Sequence, residues 1–167
     1  MKINIFIKTI LTLLLYGSFN SCILEQDKEK YKTLPPETQT GKNTFGCYVN
    51  GELFVASPGS VGWGYRHLEA AYYKNLDLLT IAASAKNGSI YFTFSNPEKN
   101  IKKNFQKITY TNSDNFYYEG RNIGEVYLTV YDTINFIVSG TFKCNMPSVN
   151  ITQGRFDVSG LQIVVWE

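Results

Sequence analysis

Asn50 and Gly51 stand between two short runs, Thr44-Phe45-Gly46-Cys47-Tyr48-Val49 and Glu52-Leu53-Phe54-Val55-Ala56. A two-residue type I′ turn needs positive φ at both central positions. Asn and Gly tolerate that, and the twist of the turn matches two antiparallel strands, so the pair predicts a hairpin. The same pattern of short alternating runs returns at 68–73, 78–84, 89–94, 107–111, 116–118, 125–131, 136–144, 149–152, 155–158 and 162–166, with Asn, Gly and Pro between them. Only 97–105 suggests a turn of helix. About ten short strands in roughly 125 residues predict an all-β fold, a single antiparallel β-sandwich or barrel-like domain. Alternation places Phe45, Cys47 and Val49 on one face, and Phe142 with Cys144 on another.

Composition agrees with strands and narrows the chemistry. Of 167 residues 15% are aromatic, with Tyr 12 and Phe 11 against a single His, His67. Aromatic residues favour strands, while one histidine leaves little material for a zinc site or a histidine relay. There is no CxxC, HExxH, Asp-rich calcium loop or GxSxG, so neither a metal nor a cofactor is expected. The stretch 58–64 is glycine-rich but lacks the Lys-Ser/Thr that lets such a loop hold phosphate. Glu69, Asp77, Asp132 and Asp157 are carboxylates that folding could bring together, as a glycosidase requires, yet no spacing singles out a pair.

Residues 1–21 read as a secretory signal peptide: Lys2 and Lys8, the apolar run Ile10-Leu11-Thr12-Leu13-Leu14-Leu15-Tyr16, then Gly17-Ser18-Phe19-Asn20-Ser21. The run is shorter than the ~20 residues that cross a bilayer. Cys22 directly after Ser21 resembles the lipobox of bacterial lipoproteins, with Phe19 and Asn20 departing from its usual pattern. The resemblance implies acylation of Cys22, palmitate being a typical chain; cleavage to a soluble chain with a free thiol is the alternative. Two or three acyl chains anchor stably where one does not. The expected location is the cell envelope, as an outer-membrane lipoprotein facing the periplasm or the surface. Lys2 and Lys8 also account for the whole formal charge of +2, so the mature chain is neutral and offers no footprint for nucleic acid. Residues 22–43, charged at first and then Pro35-Pro36, are expected to form a flexible tether, with the β domain at 44–167.

The run Leu34-Pro35-Pro36-Glu37-Thr38-Gln39-Thr40-Gly41-Lys42-Asn43-Thr44-Phe45-Gly46-Cys47-Tyr48-Val49-Asn50-Gly51 resembles the opening of a family of small Bacteroidota lipoproteins of unknown function. Ser139-Gly140-Thr141-Phe142 and Asn150-Ile151-Thr152-Gln153-Gly154-Arg155-Phe156-Asp157-Val158 resemble its closing strands. Cys144 and the apolar run from Val158 to Glu167 depart from that pattern. The resemblance implies an envelope location and an all-β fold, and carries no activity.

Two further features invite a functional reading. Cys47 and Cys144 form an even pair in an exported chain, and a disulfide between them would close a loop of nearly 100 residues; two buried thiols acting as small hydrophobes are the alternative. The loop 57–67 joins three glycines to Trp63, Tyr65, Arg66 and His67, flat surface and donors suited to sugars or peptides. Its bland reading is a cap on the core. The expected function is therefore that of a lipid-anchored, non-enzymatic ligand-binding or structural domain, with a glycan or protein as partner. A small surface hydrolase acting on glycans or peptides is the rival.

Overall fold

The computed structural model describes residues 33–56, 60–61 and 65–165; the side chains of 60, 61, 65 and 66 lie outside the description, as do the leader and Cys22. Twelve strands occur among the described residues: β1 (Thr44–Val49), β2 (Glu52–Val55), β3 (Ser60–Val61), β4 (Tyr65–Arg66), β5 (Leu68–Tyr73), β6 (Leu78–Ala85), β7 (Gly88–Ser95), β8 (Lys102–Asn112), β9 (Tyr117–Asp132), β10 (Ile137–Met146), β11 (Val149–Ser159) and β12 (Gln162–Val164). Ten of them form one sheet in the order β12-β5-β6-β7-β8-β9-β10-β11-β1-β2, and β3 pairs with β4 alone. The fold is thus all-β and barrel-like, one curled sheet rather than two packed ones. It is antiparallel throughout except where β12 runs parallel to β5.

Chain length explains the curl. β11 ends at Ser159 and β12 begins at Gln162, so a span of at most ~11 Å joins strands that lie seven places apart in sheet order. The sheet has to roll up into a half-barrel for both to be reached. Two hydrogen bonds brace the approach of the edges: Asn87 Nδ2 donates to the Leu53 carbonyl of β2 at 3.2 Å, and the Leu161 amide donates to the Phe136 carbonyl at 3.0 Å.

Alternation then fills the interior. Phe45, Phe54, Phe92, Phe94, Phe105, Phe142 and Phe156 are buried there. Phe92 is the hub, with ring centroids 4.9 Å from Phe105, 5.1 Å from Phe142 and 5.9 Å from Phe156. Each buried ring contributes about 1.5–3 kcal/mol by removal from water. The Asn50-Gly51 turn forms as predicted, with φ of 51° and 85°. Tyr72 and Tyr118 pack against the core while Tyr117 is exposed, as alternation requires.

The helical expectation for 97–105 is overturned. The only helical turn among the described residues is a short 3-10 turn, Lys74–Leu76, and β8 already begins at Lys102. β9 is a single strand of 16 residues where the sequence suggests two. It passes through Asn122 and Gly124, both at positive φ, opposite a register shift between Lys103 and Phe105. Such a bulge places turn residues inside a continuous strand.

Candidate functional site

Polar chemistry concentrates where the segment before β1 lies on β11. Asp157 has Thr44 of β1 and Ser139 of β10 as its register partners and is 1% exposed. Asp is depleted in strands because a bare carboxylate cannot be left dry; here five donors satisfy it. Oδ1 accepts from Gly41 N at 2.8 Å and Ser139 Oγ at 2.5 Å. Oδ2 accepts from Thr38 Oγ1 at 2.6 Å, Lys42 N at 3.0 Å and Thr40 N at 3.2 Å. Burial pushes the Asp157 carboxyl up, and the donors from Lys42, Ser139, Thr38 and Gly41 together outweigh it, holding the carboxyl below its usual range.

Neighbouring contacts extend the clasp along the segment. Arg155 Nη1 donates to the Pro35 carbonyl at 3.4 Å, and Asn43 and Ser159 exchange hydrogen bonds at 2.8 and 2.9 Å. Pro35 lies directly on Gly46, where a Cβ would stand 2.5 Å from Pro35 Cδ, so only glycine admits the proline. Residues from Leu34 onwards accordingly belong to the same compact unit as the strands. The expected tether of 22–43 is corrected in its second half: 34–43 is a strap fixed to the sheet by hydrogen bonds to Asp157. Its first part, 22–32, lies outside the described residues.

Space at the clasp is small. Pro36, Thr38 and Gln39 of the strap face Thr129, Thr141 and Arg155 across a cleft of about 20 Å³, room for one water. Asp157 has no unsatisfied lone pair left for a substrate proton. Two of the other carboxylates are engaged in their own neighbourhoods: Asp77 accepts from Tyr72 Oη at 2.8 Å, and Asp132 caps its own turn. No group of His, Cys, Asp or Glu among the described residues is placed to hold a metal.

The two cysteines are brought into the core and not to each other. Both are free and buried. Cys47 lies on β1 and Cys144 on β10, with β11 between them, a lateral separation of about 9–10 Å at the usual strand spacing, and Cys47 stands two residues along from Val49, which is level with Cys144 across Ile151, beyond the reach of a disulfide. Of the two readings, the bridge is not made and the cysteines are buried thiols. Burial pushes the Cys144 thiol up to about 11 and Cys47 higher still, so neither is a ready nucleophile.

Of the aromatic loop, Trp63 lies outside the described residues. Tyr65 and Arg66 form β4, their backbones paired with Val61 and Ser60. His67 is half-buried; its carbonyl accepts from Ser84 N at 2.7 Å, and its Nδ1 is buried without a hydrogen-bond partner among the described residues. Sequence reasoning missed the clasp, although both halves of it lie in the two motifs quoted above. The available signal was an Asp at the centre of an alternating strand, which demands donors from elsewhere. No protein-family model matches the chain, and no curated protein or solved structure matches it either.

Proposed function

We propose that the chain is a lipid-anchored cell-envelope protein, held at the outer membrane through acyl chains on Cys22, whose domain is a non-enzymatic binding or structural module. The observation that carries this reading is the clasp. The segment that continues from Cys22 is fastened by Asp157 to β11, which has β10 on one side and β1 and β2 on the other, so a pull from the anchor would pass into an internal strand rather than into the edge strand. The resemblance to small Bacteroidota lipoproteins fits the same reading, because its opening and closing motifs supply the two halves of the clasp.

The test is metabolic labelling with an alkyne-bearing palmitate. The wild-type chain is expected to take up label and partition with membranes, and Cys22→Ser to lose both. Label that persists in Cys22→Ser, or a wild-type chain found wholly in the soluble fraction, would overturn the reading.

A further inference from the structure

One end of the half-barrel is apolar. Strand directions place the β5–β6, β7–β8 and β9–β10 connections, and Val165 just after β12, at that end together. Each presents a large apolar side chain to solvent: Leu76 at 62%, Ile101 at 44%, Ile134 at 84%, Phe136 at 47% and Val165 at 58% exposed. The connections are tied to one another and to the strands: the Asn96 amide donates to the Asp77 carbonyl and the Leu161 amide to the Phe136 carbonyl. The most exposed tip is also rigidly built. Asp132 Oδ1 accepts from the amides of Ile134 and Asn135 at 2.9 and 2.8 Å, and Phe136 holds φ at 56°, a conformation that strains a bulky residue. A turn organised to hold Ile134 and Phe136 outwards is doing something other than solubilising the chain.

We propose that this rim docks on the surface of the lipid leaflet that carries the anchor. The proposal rests on the reading of Cys22 above. Charge favours lipid: Lys42, Lys74 and Lys99 stand on the same end with no ion pair among the described residues, against the carboxylates Asp77 and Asp132, while Glu98 is paired with Lys103 at 2.8 Å, which leaves the end with a small positive excess. Apolar tips with unpaired lysines between them match the boundary between acyl chains and anionic headgroups. The tips are separate turn ends rather than one concave patch, which suits insertion into lipid better than a protein partner. Reach agrees as well. From Cys22 to the strap at Leu34 the chain spans at most ~40 Å. The strap lies on Gly46, two residues into β1 from the rim, or about 7 Å. The anchor therefore leaves the rim within reach of the bilayer, and the rim supplies a second, weaker attachment that fixes orientation.

The test uses the full acylated chain on vesicles of phosphatidylethanolamine and phosphatidylglycerol. A polarity-sensitive fluorophore is placed by Ile134→Cys and, at the opposite end, by Ser148→Cys; Cys47 and Cys144 are buried and stay unlabelled. At 134 the emission is expected to shift to the blue and to lose more than about half its intensity to nitroxides on the lipid chains, as at a depth of ~5–10 Å. At 148 neither change is expected, and replacing phosphatidylglycerol by phosphatidylcholine is expected to weaken the quenching at 134. A chain retained on vesicles with equal or absent quenching at both positions overturns the docking and leaves the anchor standing. Failure of the unlabelled chain to stay on vesicles overturns both. Shielding of the 134 label that depends on protein concentration instead of lipid assigns the rim to a second copy of the chain and overturns the proposal as well.

Discussion

Two aspartates organise the two irregular segments that flank the strands, and they do it in opposite ways. Asp157 gathers donors from residues more than a hundred positions away, at Thr38, Thr40, Gly41 and Lys42, and is dry. Asp132 takes its donors from the amides of Ile134 and Asn135 and from Asn135 Nδ2, within its own turn and in water. The first arrangement turns a stretch of linker into part of the wall of the half-barrel. The second shapes a loop without covering it, and leaves Ile134 bare. What differs is the cost of losing the carboxylate: a buried donor left alone costs about 1–3 kcal/mol, while an exposed one is taken up by water.

Asp157→Ala is accordingly expected to have the largest effect. It strands the Ser139 hydroxyl and the strap amides together, for a loss of about 3–5 kcal/mol in denaturant unfolding, with water reaching some of the donors. Hydrogen exchange at Gly41 and Lys42 would rise at the same time. A loss below about 1 kcal/mol would mean that the strap is dispensable and that the contrast between the two aspartates is false.

The pH dependence sharpens the same point. The folded carboxyl of Asp157 titrates below its unfolded value, so its contribution is complete above roughly pH 4 and is lost as pH falls through the lowered folded value. The stability difference between wild type and Asp157→Asn should therefore be constant near neutrality and shrink in acid. A difference that grows on acidification would contradict the assignment. Gly46→Val comes next in size: it pushes Pro35 off the sheet while leaving the carboxylate in place, with an expected loss of about 1–3 kcal/mol. If that variant keeps full protection at Lys42, the proline contact and the carboxylate act separately.

The same contrast between local and distant interactions explains what the sequence revealed. The all-β class, the Asn50-Gly51 hairpin and the buried faces of β1 and β10 depend on neighbours in sequence, and alternation with turn residues locates them. The single curled sheet depends on which edge β12 joins, and no local pattern encodes a parallel pairing to β5. Asn122 and Gly124 look like a turn because their conformations are those of a turn; only the partner strand shows that β9 runs on through them as a bulge. The strap is hidden from local pattern for the same reason. Pro35-Pro36 and the threonines resemble a linker until a carboxylate from the far end of the chain meets them. Alternation places Cys47 and Cys144 inside, but the intervening strand β11 that separates them is a matter of topology.

Asp132→Ala should have the smallest effect on stability and the most telling one on the rim. Its three hydrogen bonds are made in water, which replaces them once the side chain is gone, so the unfolding midpoint should hardly move. The turn itself should loosen. Without the carboxylate, nothing described in the structure holds the amides of Ile134 and Asn135 towards each other, and Phe136 is free to leave its strained φ. Exchange at those two amides should quicken, and lipid quenching of a label at 134 should weaken as Ile134 samples other directions. If Asp132→Ala destabilises the fold as much as Asp157→Ala does, the turn is part of the scaffold rather than a display. If it alters neither exchange nor quenching, the outward pose of Ile134 is set by β9 and β10 alone, and the aspartate that most resembles a loop organiser is not needed to organise the loop.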